Sequence, residues 1–177
     1  MPQSRSRFSR ADERAYLRSN AVSAIRVPPS AALPLRALAI AEALTNADPR
    51  RVQAASQRLI DVFCELLRVA SLRVEVRGVR PTNHHGELHG LYTPASTHQA
   101  RDRVQVWMHT ARRRQVVAFK TFLRTLLHEL CHHLDYELLR LADSFHTEGF
   151  YKRESSLLRQ ILRDEPQGGV SGDDLRG

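Results

Sequence analysis

The five residues His128-Glu129-Leu130-Cys131-His132 have the types and spacing to hold a metal ion and work with it. On an α-helix, residues four apart lie one turn above each other, so His128 and His132 can offer their imidazoles to one ion from the same face. Glu129 is rotated by about 100° from His128, too far to join them comfortably but well placed to touch a water at the metal's open position. Zinc with three protein ligands and one water lowers that water's pKa to about 7, and a neighbouring carboxylate can take the proton during attack on a carbonyl. The chemistry expected is zinc-dependent hydrolysis with Glu129 as the base.

A third ligand has to come from downstream, where Asp143-Ser144-Phe145-His146-Thr147-Glu148-Gly149-Phe150-Tyr151 follows the motif. Imidazole suits zinc, so His146 is the choice, with Glu148 and Glu154 as carboxylate alternatives. Tyr151 is the candidate donor to the oxyanion of a tetrahedral intermediate. His133 reads as a surface imidazole on an exposed helix face, with a place at the border of the cleft as the alternative, and Asp135 as either a holder of an imidazole N–H or a solvated side chain. Cys131 reads as a small buried hydrophobe. His84, His85, His89, His98 and His109 show no paired helical spacing and are read as structural.

The elements that must position this motif follow from periodicity. From Val116 to about Leu141, Leu123, Leu127, Leu130, Leu134, Leu138 and Leu141 recur at three- and four-residue steps, which predicts a long helix with a core-facing stripe. The two histidines project away from that stripe, so burial and metal binding do not compete. Helices are also expected over 31–44, over 49–70 with Asp48 as cap and Pro49 in the first turn, and over 149–162. Alternation predicts a strand over 72–79, with further extended pieces at 88–92 and 103–108. Residues 1–30, rich in Arg and Ser and broken by Pro28-Pro29, read as a flexible or partly helical arm, and 164–177 as a disordered tail. The fold class expected is α+β: one compact domain over 31–163, a short sheet packed on the long helix, with helices preceding it.

A chain of 177 residues with 42% hydrophobic content is long enough for one cored domain. No apolar run approaches the roughly 20 residues of a membrane-spanning helix, and no secretory leader is visible. Two cysteines, Cys64 and Cys131, build neither a disulfide framework nor a four-cysteine zinc ribbon, and reduced thiols fit a cytoplasmic location. The net charge of +8 is almost entirely arginine, since Lys120 and Lys152 are the only lysines. It is compatible with a nucleic-acid partner, although arginines spread along the chain also reflect base composition of the gene.

With His146-Thr147-Glu148-Gly149-Phe150 following the motif, the chain resembles the SprT-like zinc metallopeptidases and their minimal zincin relatives, whose pattern is HExxH followed by HxxxF. The resemblance covers roughly residues 72–163. It implies His128, His132 and His146 as zinc ligands, Glu129 as general base, and a compact zincin-like fold. It also implies that the strand before the active helix, here 103–108, borders the cleft and pairs with an extended protein or peptide substrate. Some members act on DNA-bound proteins. The metzincin pattern fails, because Asp135 and Leu138 occupy its Gly and His positions. Two functions follow as expectations: a zinc metallopeptidase, or a non-catalytic zinc-binding module of the same shape with a regulatory or DNA-associated role.

Overall fold

A computed structural model describes residues 9–83, 86–96 and 99–162. His84, His85, His98 and the tail after residue 163 lie outside them. The described chain is α+β, with five helices around a small mixed sheet. Helices α1 (Arg10–Ala21), α2 (Ala32–Thr45) and α3 (Pro49–Leu67) come first. Strand β1 (Arg73–Val79), the hairpin strands β2 (Thr82–Asn83) and β3 (Gly86–Glu87), β4 (Gly90–Thr93) and β5 (Arg103–His109) follow. Helices α4 (Phe119–Glu137) and α5 (Glu148–Leu162) close the fold. Among the described residues, no helix is long and apolar enough to cross a membrane.

Local chemistry fixes the helix starts. Ser9 and Asp12 form a reciprocal capping box on α1, with Asp12 N–H donating to Ser9 Oγ at 3.1 Å and Ser9 N–H to Asp12 Oδ2 at 2.9 Å. Asp48 accepts from the N–H groups of Arg50 and Arg51, and Pro49 occupies the first position of α3, as its sequence suggests. Thr147 caps α5 by accepting from Phe150 N–H at 3.0 Å. Helix α4 is shorter than the 116–141 periodicity predicts. Before it, Val117 N–H still bonds Met108 O at 2.8 Å, and after it the chain turns over Arg140 in the left-handed region.

The three-stranded sheet has the order β1-β5-β4, with β1 parallel and β4 antiparallel to the central β5. Val74, Val104, Val106 and Met108 lie on its buried face, against α3 and α4, and the stripe Leu123, Leu126, Leu127, Leu130 and Leu134 is fully buried against them. Burial of such side chains contributes about 1.5–3 kcal/mol each relative to exposure. Two glutamines of α3 close the free edge of β1: Gln53 bridges Val74 O and Val76 N at 2.8 and 2.7 Å, and Gln57 bridges Leu72 O and Val74 N at 3.0 and 2.8 Å. That leaves β4 as the edge beside the motif helix.

Of the two N-terminal readings, the partly helical one agrees with the structure and the flexible one does not: Arg10–Ala21 is a helix docked on α5, and beyond it Ile25 and Val27 sit in the core at 5% and 6% exposure. Its fixed position comes from Arg153 of α5, which is fully buried and donates to Ser19 O and Val22 O, both at 2.6 Å. Such a partner is invisible to local periodicity.

Candidate metal centre

Helix α4 presents His128, Glu129 and His132, and the loop entering α5 presents His146. The Nε2 atom of His146 stands 3.0 Å from Nε2 of His128 and 3.0 Å from Nε2 of His132. Two imidazole nitrogens on a tetrahedral zinc, with bonds of about 2.0–2.1 Å, stand about 3.3–3.4 Å apart, so an ion fits after a small spreading of the rings. Phe150, fully buried, packs against all three rings at centroid distances of 4.9, 4.8 and 5.1 Å.

The opposite ring nitrogens decide where the lone pairs point. His128 Nδ1 lies 2.9 Å from Glu154 Oε2, so it carries the proton and donates. Ser144 gives its single hydroxyl proton to Asp135 Oδ2 at 2.8 Å, and therefore accepts at Oγ from His132 Nδ1–H at 2.7 Å. Both rings thus turn an Nε2 lone pair inward. The Nε2 of His146 faces two lone pairs and has one proton at most to offer, so the cluster is complementary to a cation. Burial favours the neutral form of two of the rings, as metal binding requires: His132 is pushed down to about 3 and His146 is lowered, in each case by desolvation first and the nearby His128 second.

Glu129 is 6% exposed and turns toward β4. Burial pushes its carboxyl up to about 7, against the pull of His128 and of the hydrogen bond from Tyr92 N–H, with Glu154 adding to the rise. Gly90 faces it so closely that any Cβ there would overlap the Glu129 carboxyl. A cleft runs to both sides of this point. One lobe is bounded by Leu88, His89, Arg124 and Thr125, the other by Leu91, Tyr92, Tyr136 and His146.

Several sequence readings change. The strand expected to border the cleft, 103–108, is the central strand and is paired on both sides; the open edge belongs to β4, because the order β1-β5-β4 brings the antiparallel strand next to α4. Glu154 does not point into the cluster but supports His128 from behind, with Arg124 Nη1 2.8 Å from its other oxygen. Glu148 is exposed and pairs with Lys152. His133 is not a surface imidazole but fully buried, with Nδ1 2.7 Å from Asp102 Oδ2 and Nε2 2.8 Å from Ala70 O. Asp135 reaches His132 only through Ser144. Tyr151 is 48% exposed, its ring 5.8 Å from that of His146 and 6.2 Å from that of His128.

Gly90, Tyr92, Ser144 and Arg153 were not read as site residues. Gly90 lies within the extended piece expected at 88–92 and Ser144 two residues before His146, but their roles depend on contacts across the fold. The cluster His128, His132 and His146 is the group among the described residues whose ligand atoms converge on one point, within 4.8 Å of one another. No protein-family model matches the chain, and no curated protein or solved structure is significantly similar to it.

Proposed function

We propose that the protein is a zinc-dependent metallopeptidase of the SprT-like kind, binding zinc through His128, His132 and His146 and using Glu129 as the general base. The observation that carries this reading is the convergence of three Nε2 atoms, two of which, on His128 and His132, have their lone pairs aimed inward by Glu154 and Ser144. An all-imidazole donor set with a restricted, buried backing suits zinc among the common divalent ions. When bound there, zinc supplies Lewis acidity and a water of pKa about 7 in its open position.

The remaining parts belong to the chain. Glu129, whose carboxyl burial raises to about 7 in the metal-free protein, stands beside the three histidines where it can accept a proton and return it to a leaving amine. Its carboxyl is oriented by Tyr92 N–H and by the absence of a side chain at Gly90. Strand β4 offers an edge along which an extended peptide can lie, and the lobes on either side of Gly90 receive its flanking side chains. The Tyr151 hydroxyl has no hydrogen-bond partner among the described residues, which leaves it available to a substrate carbonyl oxygen.

A second reading, a non-catalytic zinc module, draws on the depth of the outer shell, which links zinc ligands to α1, α4 and α5. The test is cleavage of an unfolded protein such as casein by wild type and Glu129→Gln, with zinc content measured in both. The peptidase reading expects full zinc in the variant and activity lower by about 10²- to 10⁴-fold. Equal behaviour of the two proteins, or no cleavage by wild type, supports the second.

A further inference from the structure

Behind His132 a continuous set of hydrogen bonds leads out of the metal centre and ends on the N-terminal helix. His132 Nδ1–H donates to Ser144 Oγ at 2.7 Å, and Ser144 donates to Asp135 Oδ2 at 2.8 Å. The other oxygen of Asp135 receives Arg153 Nη2 at 2.7 Å. Arg153 also donates to Ser19 Oγ at 3.0 Å and, through Nη1, to the carbonyls of Ser19 and Val22 at the C-terminus of α1. Both Arg153 and Asp135 have side chains at 0% exposure.

A buried ion pair is poor value as a stabiliser, because the desolvation of both charges offsets their attraction. This one is tied at each end to something specific, the last turn of α1 and a ligand ring. A separate set of contacts joins α1 to the loop that carries His146. Asn20 Oδ1 accepts from Gly149 N–H at 3.1 Å, and Ser19 Oγ lies 3.1 Å from Thr147 Oγ1, the residue after His146. Arg18 holds Leu139 O at 2.9 Å where that loop begins. A Cβ at position 149 would lie 2.5 Å from Ser19 O and 2.6 Å from Asn20 O, so the approach of α1 requires glycine there.

We infer that α1 is a working part of the metal centre, with Arg153 as a positioning residue that couples the docking of α1 to zinc affinity through Asp135 and Ser144. Docked, α1 orients the His132 ring and braces the loop bearing His146. Released, it frees two of three ligands at once, so any event that displaces α1 lowers zinc affinity. Linkage makes the effect reciprocal: zinc tightens α1, although no residue of that helix touches the ion. The inference rests on the zinc reading above.

The test uses the full chain without a His tag. Zinc affinity is measured by competition with a chromogenic chelator, and amide exchange of residues 10–21 is followed with and without zinc. Ser144→Ala removes the link to His132 while leaving the Arg153–Asp135 pair and α1 in place. It should weaken zinc by about 10- to 100-fold, the usual cost of losing an outer-shell partner, and Ser144→Thr, which keeps a hydroxyl, should recover most of it. The pair Ser19→Ala and Asn20→Ala should speed exchange in α1 and weaken zinc together, with the remaining helices unaltered in exchange. Wild-type affinity in Ser144→Ala, or faster exchange in α1 with zinc affinity unchanged, overturns the coupling while the metal site stands. No zinc binding by wild type overturns the metal site and the coupling with it.

Discussion

Gly90 of the edge strand and Glu129 of the motif helix are in such close apposition that the carboxyl of one occupies the space where a side chain of the other would be. The glycine therefore sets the position of the proposed base. Gly90→Ala should rotate or displace the carboxyl by roughly an ångström. If the protein is the proposed peptidase, loss of that alignment should reduce peptide cleavage by about 10²-fold, with zinc content unchanged because neither residue is among the proposed ligands. Undiminished cleavage in Gly90→Ala would show that the position of Glu129 is not critical.

Burial of Glu129 has a consequence for the metal-free protein. The folded state keeps its proton up to about pH 7, whereas the unfolded chain releases it near 4.5. The stability from this group is complete below pH 4.5 and is lost as pH rises through 7. His132 acts in the opposite sense, since its depressed value of about 3 costs stability as pH falls below 6.5. Glu129→Gln removes the first dependence and keeps the second. Urea unfolding in a chelator should show the variant gaining on wild type by on the order of 2–3 kcal/mol between pH 4.5 and 8. A constant difference across that range contradicts the assignment.

Beneath the cleft, Asp102 accepts from His133 at 2.7 Å, from Tyr92 OH and from Ala95 N–H at 2.7 Å. Burial raises its carboxyl, but these three donors hold it net below the usual range. Tyr92 in turn stacks on His132 at a centroid distance of 6.2 Å. Asp102→Asn leaves the fully buried His133 without its anionic partner, so a loss of about 3–5 kcal/mol is expected, read as a lower midpoint in chemical denaturation. A midpoint within error of wild type would show that the contact contributes little.

What the sequence carries about this site is mostly what lies on one helix or close beyond it. The leucine stripe of α4, the spacing of His128 and His132, and the choice of His146 all depend on separations of a few to eighteen residues. Local rules also sufficed for Asp48-Pro49 and for the strand at 73–79. The strand order was not legible, because which of β4 and β5 lies at the edge depends on pairing between segments far apart in the chain. His133 shows the same limit: an imidazole next to His132 reads as a surface side chain, yet its partners Asp102 and Ala70 are 31 and 63 positions away and draw it into the interior. The arm of scattered arginines concealed a docked helix for a similar reason, since the arginine that fastens α1 is Arg153, 134 residues beyond Ser19.

Three histidines from α4 and the loop before α5 form the proposed zinc site. Metal content of the untagged protein, measured by mass spectrometry on wild type beside His146→Ala, tests it most directly. One zinc per wild-type chain is expected, and its loss, or a fall to a minor fraction, in His146→Ala. A wild type free of zinc, or a variant that keeps a full equivalent, contradicts it.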